Sequence, residues 1–204
     1  MAKAKSLYAA ARAPYERIEP VAESFGDLDP HIDARAGDVP ASQWRGFHRI
    51  EQALYQNNTT AGMAAVAGQL LTDVKTLQGL VKNVQLEPKQ IANGAKELLD
   101  EVSSSKITGE EERYSHIDLV DLAANVDGSQ TAFNAVAPLI GPAGPSATEI
   151  SKRFQELDAS LAAYRTPTGF VLFNQLTPAQ TTAIAQRVNA IAEPLSQVAA
   201  HLPA

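Results

Sequence analysis

The stretch Ser42-Gln43-Trp44-Arg45-Gly46-Phe47-His48-Arg49-Ile50-Glu51-Gln52-Ala53-Leu54-Tyr55 decides how the rest of the chain is read. It holds no proline, and Trp44, Phe47, Ile50 and Leu54 recur every three or four positions. That period predicts a helix with one apolar stripe. Inside it stands G-x-H-x-x-E, carried by Gly46, His48 and Glu51. Residues three apart share a helical face, so the imidazole and the carboxylate can hold one ion or hold each other. Gly46 would weaken a helix interior by about 1 kcal/mol. It marks either a close approach or a late helix start. The pattern is not H-E-x-x-H, in which two histidines flank the general base of a zinc peptidase.

Outward from this stretch the chain reads as helices. Leu7, Ala10, Ala11, Pro14, Ile18 and Val21 trace a stripe over residues 3–24, with Pro14 kinking it or starting a second helix near Tyr15. Glu16, Glu19 and Glu23 share a face there. Residues 26–41 are rich in Gly, Pro and Asp and read as an ordered loop without the ligand spacing of a calcium loop. Ala61–Val84 carries Leu70, Val74, Leu77 and Val81 at helical steps, and Pro88 sits in the first turn of a fourth helix. Thr108-Gly109-Glu110-Glu111 fits a capping box for a helix running through Tyr114 to about Val136. Residues 138–145 read as a Pro- and Gly-rich linker. Ser146-Ala147-Thr148-Glu149 and Thr177-Pro178-Ala179-Gln180 open two further helices with capping boxes. Only Phe170–Phe173 looks like a strand. The fold class is therefore all-α: about seven helices in one domain over residues 1–204, arranged as two packed bundles.

Composition narrows the function. The 204 residues are 45% hydrophobic and 20% charged, ordinary values for a globular protein. A net charge of -6 argues against nucleic acid as a partner. With no cysteine, disulfides, thiolate ligands and a cysteine nucleophile are excluded. No apolar run reaches the roughly eighteen residues of a membrane span. Met1-Ala2-Lys3-Ala4-Lys5-Ser6 is not followed by the apolar segment of a signal peptide, so the chain reads as cytoplasmic or as a mature or trimmed form. There is no G-x-S-x-G and no phosphate-binding glycine loop. What remains is metal chemistry. Bundles make metal sites from inward carboxylates and histidines on facing helices. The candidates are His48 and Glu51, Glu16 and Glu19, and, less strongly, His116 and Asp118, because residues two apart on a helix diverge. Imidazole with carboxylate suits iron, manganese or zinc. The plain alternative is a buried network in which His48 and Glu51 pair with Arg12 or Arg17.

Several ordered motifs then make the sequence familiar. Tyr15-Glu16-Arg17-Ile18-Glu19-Pro20, Ser24-Phe25-Gly26-Asp27-Leu28-Asp29, Gly46 to Glu51, Gln90-Ile91-Ala92-Asn93-Gly94-Ala95, Lys106-Ile107-Thr108-Gly109-Glu110-Glu111, Tyr114-Ser115-His116-Ile117-Asp118 and Ala124-Asn125-Val126-Asp127-Gly128 resemble the imelysin-like domain of the EfeO family. The resemblance runs from about Ala4 to the C-terminus. It implies an all-α double bundle that binds iron, or zinc or another transition metal in its place, outside the cytoplasm. The implied partners are a membrane iron permease and the peroxidase component of the same uptake system. The G-x-H-x-x-E motif carries over onto Gly46, His48 and Glu51, and the acidic first helix onto Glu16 and Glu19. The family also implies an export signal, often a cupredoxin domain, and one more helix ahead of Ala2-Lys3-Ala4-Lys5. Leu122-Ala123 departs from the family's aromatic and polar pair. Two other functions compete: a metallopeptidase, which lacks a matching base motif here, and an acidic-polysaccharide binder, for which Trp44, Tyr15 and Arg45 are too few.

Overall fold

The computed structural model describes residues 1–203. Among them are nine α-helices and one two-stranded sheet. In chain order the helices are α1 (Ala2–Glu16), α2 (Glu19–Glu23), α3 (Leu28–Asp33), α4 (Phe47–Glu51), α5 (Met63–Val81), α6 (Pro88–Ser104), α7 (Asp118–Val136), α8 (Ala147–Ala162) and α9 (Pro178–Leu195). The hairpin β1 (Arg165–Thr166) and β2 (Gly169–Phe170) pairs antiparallel between α8 and α9. No described helix is long and apolar enough to cross a membrane.

The long helices follow the sequence period. On α6 the stripe Ala92, Ala95, Leu98, Leu99 and Val102 is buried. Thr177 and Gln180 cap α9 reciprocally, and Ser146 accepts the backbone N–H of Glu149 at the start of α8. These helices close over one apolar core: α6, α7, α8 and α9 contribute Leu99, Phe133, Phe154, Leu157, Ile184 and Ile191. A second cluster joins α1, α3, α4 and α5 through Tyr8, Tyr15, Ile32, Phe47, Leu70 and Leu77. Central α7 buries residues on several faces, because α1, α6 and α8 all pack on it. Gly128 permits the approach of the α1–α2 break, since a Cβ there would lie 2.4 Å from the carbonyl oxygen of Arg17.

Four expectations need correction. The helix expected from Ser42 begins only at Phe47, and its last turn, Gln52–Gln56, is π-helical. Gly46 is its N-cap with φ 87°, and residues before it turn away. Residues 26–41 are not all loop, because Leu28–Asp33 is helical. Thr108 to Glu111 caps nothing: Lys106–Thr108 is a short 3-10 turn and α7 begins at Asp118. Finally, Pro14 lies within a continuous α1, and the break comes at Arg17 and Ile18.

Candidate metal centre

A buried polar layer runs along the seam between the two apolar clusters. Its centre is Arg12 of α1, wholly buried, with Phe47 stacked 5.3 Å away. The guanidinium bonds Asp33 of α3 and Glu16 of its own helix. It also reaches Asp121 at 3.2 Å and Glu111 at 3.4 Å, and its Nε lies 3.1 Å from Glu112. A cation so surrounded stays charged: burial works against it, but Asp121 and Glu16 outweigh burial.

His48 and Glu51 sit on successive turns of one face of the motif helix, as their spacing requires. His48 Nδ1 lies 3.0 Å from Glu51 Oε2. The other Glu51 oxygen accepts the backbone N–H groups of Tyr114 and Ser115 at 2.7 and 2.8 Å. Glu51 is thereby fixed, and its carboxyl sits below the usual range: burial raises it, but His48 and those two amides lower it more. The far nitrogen of His48 is different. Nε2 is buried without a hydrogen-bond partner, 3.5 Å from Asp33 Oδ1 and 3.5 Å from Glu111 Oε1. Burial and Arg12 oppose a charge on this ring, but Glu111 and Glu51 outweigh them and hold its pKa up at about 9. Glu111 is held well below the ordinary range, as His48, Lys106 and Arg12 overcome the effect of burial. Glu112, bonded by Tyr8 and Ser115, is pushed up by burial to about 7.

The ligand atoms of Asp33, His48 and Glu111 lie within 4.8 Å of one another, close enough for one ion. Glu51 and Glu112 group on the opposite side of the same imidazole. Glu16 and Glu19 are also buried, but their carboxylates converge on the ammonium of Lys106. Asp33 is the residue that the two groups share, since it also lies within ligand distance of Glu16 and Glu19. His116 is half-buried with φ 58°, and its carbonyl accepts from Phe173. Asp118 caps the Glu112 amide at 3.1 Å. Arg17, named above as a partner for the motif, instead pairs with exposed Asp127. Sequence reasoning missed Asp33, Glu111, Glu112 and Lys106. In the sequence Glu111 reads as the end of a capping box, and Asp33 as one residue of a Gly-, Pro- and Asp-rich loop.

The imelysin family model matches residues 1–198. The chain belongs to the imelysin family. Among curated imelysin relatives, the iron uptake system component EfeM of Bacillus subtilis (strain 168) is 44% identical over 200 residues, covering 97% of this chain and 52% of that protein. The iron uptake system component EfeO of Escherichia coli (strain K12) is 45% identical over 201 residues, covering 96% of this chain and 54% of its own. The same identity and coverage hold for EfeO of Shigella flexneri. The chain thus spans about half the length of the imelysin relatives that it matches.

Proposed function

We propose that this chain is a metal-binding module of a bacterial iron uptake system and that iron is its cargo rather than a resident catalyst. One observation carries the reading: the buried, unpartnered Nε2 of His48 lies between two carboxylate oxygens while Glu51 holds the opposite nitrogen. A histidine ligand oriented by a carboxylate on its second nitrogen is a recurrent feature of metal sites. One imidazole with two carboxylates suits iron, with manganese or zinc able to take its place. In this reading Asp33, His48 and Glu111 are the ligands and Glu51 orients the ring. Glu16 and Glu19 anchor Lys106 and Arg12 behind them. The names of the relatives support iron as the metal.

The same reading places the module outside the cytoplasm, where it passes its metal to a membrane permease alongside the peroxidase component of the system. It is a carrier and not a peptidase. A catalytic metal needs an open position with a base aimed at bound water, whereas Glu51 already accepts three hydrogen-bonding groups. Calorimetric titration with anaerobic Fe(II), and with Mn(II), tests the ligand set. Loss of one equivalent in His48→Ala, and at least tenfold weaker binding in Asp33→Asn and Glu111→Gln, are the expected results. Wild-type affinity in both carboxylate variants would remove Asp33 and Glu111 from the site.

A further inference from the structure

The cavity in front of the site is lined by more acid than the metal needs. It encloses about 280 Å³ and is lined by seven acidic side chains against two basic ones, Arg35 and Lys106. Asp33 and Glu111 belong to its lining, and one oxygen of each lies 3.5 Å from the unpartnered, buried nitrogen of His48 behind them. Glu19, Glu23, Asp29, Asp38 and Glu101 line the remainder, with Glu23 and Asp38 exposed at the rim. The two basic groups do not reverse the sign. Arg35 is engaged by Asp38 at 3.4 Å and by Glu111 at 3.2 Å, and Lys106 by Glu16 and Glu19. Burial first, and then the charge of Glu19, push Glu101 up to about 9, so at neutral pH the negative charge of the lining comes from the other acids. A cleft lined by one sign of charge concentrates the opposite ion and speeds its arrival.

We infer that the cargo enters through this vestibule as a free hydrated cation, and that the vestibule's acids reject the same metal carried inside an anionic chelate. The inference rests on the metal site proposed above. An anionic chelate would have to bring several carboxylates against Glu23, Asp38 and Asp29 before its metal reached His48. Like charges in a confined cleft oppose that approach, and the chelate's bulk opposes it again. A hydrated divalent ion meets neither barrier, and it can shed water as Asp33 and Glu111 close on it. Glu23 and Asp38 therefore govern rate and selectivity, while the inner residues govern retention.

The single tryptophan supplies the readout. Trp44 donates to the carbonyl of Ala34 at 2.8 Å, next in sequence to Asp33, so ligation at Asp33 should alter its fluorescence. Stopped-flow mixing with Mn(II), over a salt series, compares wild type, the rim variant Glu23→Gln with Asp38→Asn, and His48→Ala. The rim variant is expected to bind several-fold more slowly, with a shallower salt dependence and an unchanged dissociation rate. Wild type is expected to take free Mn(II) and to leave Mn(II) held by excess citrate in solution. An unchanged association rate in the rim variant, or citrate retained with the metal by native mass spectrometry, overturns the entry route while the site stands. No uptake of Mn(II) by wild type overturns both.

Discussion

At Gly46 the backbone stands at φ 87° and ψ -159°, and an added Cβ would lie 2.1 Å from the carbonyl oxygen of Ile32. That region of conformational space is essentially open to glycine alone. The first residue of the motif is therefore fixed by geometry. It lets the chain turn against α3 so that His48, two residues later, reaches Asp33. A side chain here must push α4 away from α3. Gly46→Ala should lower stability by about 3 kcal/mol, the upper end for a strained backbone position. The same shift should weaken metal binding without touching a ligand. Urea melts and the metal titration together check this, and wild-type values in both would show that the backbone adapts.

At the scale of elements, Glu51 joins two segments far apart in sequence. Its carboxylate ties α4 to the turn before α7, through the amides of Tyr114 and Ser115. Glu51→Ala would leave these buried donors unpaired and free one face of His48. The expected loss is about 2–6 kcal/mol, from two unsatisfied donors of about 1–3 kcal/mol each. Hydrogen exchange should show the amides of Tyr114 and Ser115 losing protection first. This tie also explains what was legible in the sequence. Helices α6, α8 and α9 announce themselves because local period, caps and packing agree, and α5 through its period alone. The turn at 109–117 does not, because it is non-helical and two of its amides, those of Tyr114 and Ser115, are satisfied by the distant Glu51. Read alone, Glu110, Glu111 and Glu112 look like acids at a helix start. His48, Glu51, Glu16 and Glu19 could be singled out because they lie beside apolar stripes. Asp33 and Glu111 reach the same layer from a short helix and a turn, where no periodicity marks an inward residue.

Across the whole molecule, nine acidic side chains are buried against three basic ones among the described residues. A balance of that sign leaves the folded chain holding protons that the unfolded chain would release. Glu101, half-buried beside Glu19, is the clearest case: burial first, and then Glu19, raise it from 4.5 to about 9. Between those two values the folded state binds more protons than the unfolded state, so stability falls as pH rises through the interval. His48 acts in the same direction. Its folded pKa of about 9 lies above the ordinary 6.5, so its contribution is complete below 6.5 and lost as pH passes about 9. Glu111 has the opposite sign, with stability that is present above 4.5 and lost on acidification. The optimum is thus expected between about pH 5 and pH 6.5, with a long decline on the alkaline side. Glu101→Gln makes the uncharged form permanent and leaves His48 in place. Its urea midpoint should match wild type near pH 5 and exceed it near pH 9, while retaining part of the decline. Identical alkaline slopes for the two proteins would show that Glu101 carries no proton in the folded state and that the vestibule is more fully charged.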